Sequence, residues 1–379
     1  MTNDAPVSTY NDSFYFKDVK ITPTTTPQKG PEVGGRTDHM VEIHWDSVNG
    51  WSQSPEIKPF APLSIDPTAS GLHYAIQCFE GLKAYKSADG KSVRLFRPDL
   101  NLQRLNSSSR RIVLPEFNEE EFLKILAKFV EIEARFIQPG GFIYLRPYHI
   151  GTNGGLGIRS PTSSILGVVS TIMPNFSAKI MSLYASPPNA LRAWPGGFGS
   201  SKLGANYGPT LEQNDIANKL GYDQVLWLFG ENRVVTEAGG SNFVVVWKVP
   251  GDENKTEIVT CTLQNGTILP GITRRSAFEY LNEKYANDEN TIVSEREFTF
   301  DDLEAAVKEG RLVEAFGLGT AYFVSSCGTI RSPEGVDIKI PLPIEGRTGP
   351  VAEDIRTHLG NIMYANSGEF DHPWRYDVV

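Results

Sequence analysis

Short β-rich apolar runs alternate with helical stripes along most of this chain, and one proline- and glycine-rich stretch near the middle interrupts them. Residues 119–137 carry Phe122, Ile125, Leu126, Phe129, Ile132 and Phe136 at helical spacing behind a run of glutamates. FIYLRPYHI (142–150) and SILGVVSTI (164–172) are predicted strands. The texture changes over 173–200, with Pro174, Pro187, Pro188, Pro195 and several glycines. Beyond it, 210–220 reads as a helix opening at Thr210 and stopping at Gly221. DQVLWLF (223–229) and NFVVVWK (242–248) are strands, 273–286 is helical, 313–330 is strand, glycine turn and strand, and 350–365 is the last helix.

Interleaving of this kind predicts an α/β protein with α+β layers. A length of 379 residues suggests two or three domains. The expected division is a flexible N-terminal arm (1–35, including TPTTTPQKGPEVGG at 22–35), a small α/β domain (36–173), an interdomain loop (174–189) and a large domain (190–379).

Composition removes several function classes. A formal net charge of −9 with no basic stripe argues against nucleic acid and anionic lipid as partners. No apolar run approaches the roughly 20 residues that span a bilayer. Cys78, Cys261 and Cys327 are odd in number and far apart, which predicts no disulfide framework and no metal site. The segment MTNDAPVSTYNDSFYF has neither a basic region nor an apolar core, so the expected location is cytoplasmic.

Four small-residue turns hold groups capable of chemistry. In GSSKLGANYGPT (199–210), Lys202 is sterically free to approach a ligand, with Tyr207 five residues on. A lysine that forms a Schiff base must be neutral part of the time, so its pKa must fall from about 10.4. In VVTEAGGSNFVVVW (234–247), Glu237 precedes a very apolar strand, where a carboxylate needs a partner cation or backbone amides. In ILPGITRRS (268–276), Pro270-Gly271 breaks the chain and Ile272 and Thr273 open a helix whose first amides suit an anion. In EAFGLGTAYFV (314–324), Gly317 and Gly319 admit close approach, and Thr320 and Ala321 offer a hydroxyl and amides. Taken singly, each also has an ordinary reading: a solvated lysine, a turn carboxylate, a capped helix, a hairpin.

Together and in this order, the four segments resemble the branched-chain aminotransferases, a family of fold-type IV pyridoxal-phosphate enzymes. LHYAIQCFEGLKAY (72–85), LFRPDLNLQRLNSSSRRIVLP (95–115) and FIYLRPYHIGT (142–152) resemble further blocks of that family, so the likeness runs from about residue 40 to 365. It implies a small N-terminal and a larger C-terminal domain with pyridoxal 5'-phosphate between them. It implies that Lys202 carries the cofactor as an internal Schiff base and shuttles a proton, and that Glu237 faces the pyridine nitrogen. Tyr207 would bond the ring's phenolic oxygen. Arg104 would clamp the phosphate bidentately, with Ile272 and Thr273 at the helix start. Thr320 and Ala321 would receive the substrate carboxylate, with Thr320 also reaching phosphate. Tyr74, Phe79, Tyr144, Arg146 and Gly240 would form the side-chain pocket.

The implied activity is reversible ping-pong transfer of an amino group between leucine, isoleucine or valine and 2-oxoglutarate by a homodimer whose pocket is completed by a partner loop. Departures bear on side-chain choice. Gly240 and Ser241 stand where vertebrate members have Thr and Met, and the segment near 174–186 is shorter. The stretch Tyr322–Ser325 replaces a CxxC of redox-sensitive relatives. The alternatives are a transaminase for an unusual or bulkier amino acid, a D-amino acid aminotransferase or aminodeoxychorismate lyase on the same scaffold, and a binding module without catalysis.

Overall fold

The computed structural model describes residues 10–28, 30, 34–173, 179–366 and 368–379. It divides into two compact units. Met1–Asn175, Ser201–Ala205 and Ile362–Val379 form the first, and Phe176–Ser200 with Asn206–Asn361 the second. Residues 174–178 of the expected interdomain loop lie outside the described residues.

In the first unit, a ten-stranded sheet among the described residues is built around the strand Phe142–Gly151. It pairs antiparallel with Ser163–Thr171 on one side and with Leu82–Lys86 on the other, in a register that sets Lys83 opposite Tyr144. Ile143, Leu145 and His149 are fully buried. Tyr144, Arg146 and Tyr148 alternate with them and so share the opposite face. Helices Pro98–Arg111 and Glu119–Glu133 cover the His149 face, which meets Ser109 of the first helix.

The predicted stripe on the second helix is nearly the observed one. Phe122, Ile125, Leu126 and Phe129 are fully buried, and the Asn118 side chain caps the start by accepting from the Glu121 amide. Ile132 is only half-buried. Val130 and Glu133 take the inner positions instead, because His39 Nδ1 and the Asp38 amide satisfy the Glu133 carboxylate. A stripe drawn from apolar residues alone passes over such a paired glutamate.

The described part of the expected flexible arm is anchored. Phe14 is fully buried, edge-on to Trp51 and Phe122, and Lys20–Ile21 pairs in parallel with the strand Glu56–Pro59. Residues 1–9, 29 and 31–33 lie outside the described residues. The far C-terminus differs as well. Arg375–Asp377 pairs antiparallel with Val93–Phe96, and the Arg97 guanidinium lies 4.4 Å from the Trp374 ring centroid. Residues 362–379 therefore join the first unit rather than the large domain expected over 190–379, through a polar strand too short to carry a hydrophobic pattern.

The second unit holds a nine-stranded sheet among the described residues. Its strand Ser241–Val249 is flanked by Asp252–Thr260 and Leu312–Gly319. Leu226, Phe243, Val245, Trp247, Val259 and Phe298 make its core, together with Phe300 and Leu303 of the helix Phe300–Lys308. Thr299 and Asp302 form a reciprocal capping box at that helix's start. The register Asn242↔Leu318 brings the turn at Gly239–Gly240 and the turn after Gly319 to one end of the sheet. No described helix is long and apolar enough to cross a membrane.

Candidate active site

Lys202 lies in the short segment Ser201–Ala205 of the first unit. Its amide donates to Ser108 Oγ at 3.0 Å, and its carbonyl accepts from the Phe79 amide at 3.1 Å. Leu203 makes an antiparallel bridge to Cys78. The Lys202 ammonium nitrogen is 5.1 Å from the Phe79 ring centroid, and the Arg146 guanidinium is 4.5 Å from the same centroid. Arg146 Nη2 also donates to the Tyr144 hydroxyl at 3.4 Å, while Arg146 Nε is buried without a hydrogen-bond partner among the described residues. Four predicted residues therefore come together: Phe79, Tyr144, Arg146 and Lys202. The Tyr144 ring lies over Gly81, where a Cβ would fall 2.0 Å from the phenolic oxygen. Only glycine leaves room for the ring there.

Two further first-unit residues have other surroundings. The Tyr74 hydroxyl accepts from the Gly157 amide at 2.8 Å and so engages the loop after the Phe142–Gly151 strand. Arg104 turns Nε and Nη2 to the two oxygens of Glu80, at 2.7 and 2.9 Å. The fork that the family likeness assigns to a phosphate is here the fork that holds a carboxylate. Glu80 is fully buried and also accepts from Asn101 Nδ2 at 2.7 Å and the Gly81 amide at 3.2 Å. Sequence reasoning passed over Glu80, although a glutamate between Phe79 and Gly81 in an apolar block was a signal.

Lys83 was also passed over. It is 5% exposed beside Tyr144 in register, with its nitrogen 4.1 Å from the Phe142 ring centroid, and burial pulls its pKa down to about 8.

The second unit gathers the remaining candidates. Glu237 is 2% exposed, with Oε1 accepting from the Leu269 amide at 2.8 Å and from Asn242 Nδ2 at 3.3 Å. Its Oε2 lies 2.7 Å from Arg192 Nη2, and Arg192 Nη1 donates to the Thr267 carbonyl at 3.3 Å. Arg192 thus gives Glu237 a cationic partner within the chain. Arg192 sits in the glycine-rich stretch, where no periodicity marks it.

Asn242 also donates to the Leu269 carbonyl, and a Cβ at Gly271 would lie 2.1 Å from Asn242 Oδ1. That close approach seats the start of the helix Ile272–Lys284 against the strand Ser241–Val249, whose Asn242 also bonds Glu237. The helix has no side-chain cap at Gly271 and no acidic residue in its first turn, and Ile272 and Thr273 are buried. Its first amides and dipole suit an anion.

A Cβ at Gly319 would fall 2.8 Å from Ser241 Oγ, so the Gly240–Ser241 and Gly319–Ala321 turns abut. Thr320 and Ala321 are half-buried. Gly240 is exposed, and a Cβ there would meet open space. Tyr207 is 43% exposed, its carbonyl accepting from the Thr210 amide and hydroxyl.

Residues 77–324 match the family model described as amino-transferase class IV. The cytosolic branched-chain-amino-acid aminotransferase of Saccharomyces cerevisiae is 41% identical over 364 residues, 93% of this chain and 94% of that protein. The cytosolic branched-chain-amino-acid aminotransferase of Mus musculus is 38% identical over 379 residues, covering 97% and 94%. Among solved structures, the branched-chain amino acid aminotransferase from Thermobaculum terrenum in its PLP-bound holo form superposes with a TM-score of 0.67 at 20% identity, over 90% of this chain and 99% of that one. The last comparison supports the two-domain fold-type IV architecture, and the first three, spanning the amine, the buried carboxylate and the helix start, show that this chain belongs to the class IV amino-transferases.

Proposed function

We propose that the chain is a branched-chain L-amino acid:2-oxoglutarate aminotransferase that uses pyridoxal 5'-phosphate and works as a homodimer. The observation that carries the reading is the Lys202 amine beside Phe79, with Arg146 on the same ring and Tyr144 next to it. An apolar wall and a guanidinium–phenol pair side by side meet the family's demand, which is to accept an aliphatic side chain in one half-reaction and a γ-carboxylate in the other.

The donor set fits the cofactor: a primary amine, a buried carboxylate braced by Arg192, and an uncapped helix start free of acidic residues. When bound, the cofactor supplies an aldehyde for the amine and a ring that accepts electrons as the Cα proton leaves. Lys202 takes that proton and returns it. Glu237 would present a fixed anion to the protonated ring nitrogen, and Tyr207 would donate to the ring's phenolic oxygen. Arg104, its fork braced on Glu80, would approach the phosphate together with the Ile272 and Thr273 amides and the Thr320 hydroxyl. Thr320 and Ala321 would receive the α-carboxylate. Phe79, Tyr144 and Arg146 would line the side-chain pocket, and the family likeness adds Tyr74 and Gly240 to it.

Lys202→Ala is expected to abolish both turnover of L-leucine with 2-oxoglutarate and the visible absorbance of the lysine-bound cofactor. Turnover at the wild-type rate would overturn the reading. The open space at Gly240 favours a second preference, for side chains bulkier than leucine. A panel of linear, branched and aromatic 2-oxo acids decides between the two. Relatives include proteins named cytosolic and mitochondrial. A cytosolic location is part of the proposal, and a fluorescent fusion that coincides with a mitochondrial marker would overturn it.

A further inference from the structure

We infer that the Ser108 hydroxyl is a positioning group for Lys202, setting the direction from which the amine leaves the backbone. The inference rests on the reading that Lys202 carries the cofactor. Both main-chain polar groups of Lys202 are held, the amide by Ser108 Oγ and the carbonyl by the Phe79 amide. Leu203, fully buried, continues the anchorage through its bridge to Cys78. Two fixed hydrogen bonds on one residue fix its peptide planes, hence its Cα–Cβ vector and the cone that Nζ can sweep.

The helix Pro98–Arg111 accepts a local disadvantage to provide this contact. Serine is a poor helix former, because its hydroxyl competes for backbone partners. Yet Ser107, Ser108 and Ser109 follow one another inside the helix. Ser107 is exposed, whereas Ser108 and Ser109 are buried at 1% and 0%. Each buried serine bonds outward to the lysine-bearing region or its support: Ser108 to Lys202, and Ser109 to Cys78 Sγ at 3.3 Å and His149 Nδ1 at 2.9 Å. Arg104 lies one turn before Ser108 on the same helix. One helix therefore positions a guanidinium and braces the main chain that carries the amine.

The test uses the holoenzyme with Ser108→Ala and Ser108→Thr. The alanine variant is expected to lose roughly tenfold or more in kcat, with the KM for L-leucine changed less than about twofold. It should shift the pH midpoint of the cofactor's visible absorbance, and speed amide hydrogen exchange in peptides spanning 200–206. The threonine variant, which keeps the hydroxyl, should recover the wild-type absorbance titration and most of kcat. Wild-type titration and kcat in Ser108→Ala, or equal loss in both variants, would overturn the inference. If Ser108→Ala does not fold, Ser108→Cys replaces it, and wild-type behaviour there likewise overturns it. Failure of the functional reading shows differently: borohydride reduction of the wild type would leave no cofactor on Lys202, whatever the exchange rates.

Discussion

Glu80 and Arg104 illustrate how a single buried pair constrains a site. Four donors converge on a carboxylate with no solvent exposure, so its charge is tolerable only while all of them stay in place. Glu80→Leu removes the anion that holds the part-buried Arg104 guanidinium. That is expected to cost about 3–5 kcal/mol in urea unfolding. Glu80→Gln keeps the shape and should cost less, while loosening Arg104 enough to weaken cofactor retention during dialysis. Cofactor retention equal to wild type in Glu80→Gln would show that Arg104 does not depend on the pair.

Turns and helix starts carry the second unit's contribution. Gly271 has an ordinary negative φ, so the reason for glycine is space. Its missing Cβ makes room for Asn242, which cannot swing away without releasing Leu269 and Glu237. Gly271→Ala is therefore expected to destabilise the protein by about 1–3 kcal/mol and to lower cofactor affinity together with it. Gly240 presents the opposite case. With open space around its missing Cβ, Gly240→Thr should leave the melting temperature nearly unchanged and discriminate against bulky 2-oxo acids. A substrate panel run on both proteins checks this, and identical selectivity would remove Gly240 from the pocket. Thr299→Ala, at a capping box that includes none of the candidate residues, should cost about 1 kcal/mol with kcat unchanged.

His149 links the first unit to the stability of the whole molecule. It is fully buried, its two ring nitrogens face Ser109 and Ser164 hydroxyls at 2.9 Å, and its ring lies 5.8 Å from that of Trp51. Burial lowers its pKa from 6.5 to about 3. Between those values the unfolded chain binds a proton that the folded chain refuses, so stability falls as pH drops below about 6.5. The contribution is full above that pH, with a slope of about 1.4 kcal/mol per pH unit below it. In His149→Gln this part of the slope should vanish, so urea unfolding at pH 7 and pH 5 should show the wild type losing more stability than the variant. Parallel losses would refute it. Assembly is checked separately: sedimentation should give a dimer mass, and dilution below the dissociation constant should reduce turnover.

The linear chain by itself determined most element types and apolar positions and named candidate residues for the site. Periodicity and turn residues are local, and the strand at 142–150, the helix at 273–286 and the turns around Lys202, Glu237 and Thr320 could be read one segment at a time. Folding alone decided the partners. Glu80 meets Arg104, Arg192 meets Glu237, Ser108 meets Lys202 and Glu133 meets His39 across separations that no short window spans. The same holds for the return of Arg375–Asp377 to the first sheet. The physical reason is common to all of them. A buried polar group can be satisfied by any donor or acceptor the tertiary structure brings within about 3 Å, and its own sequence neighbourhood carries no mark of which one arrives.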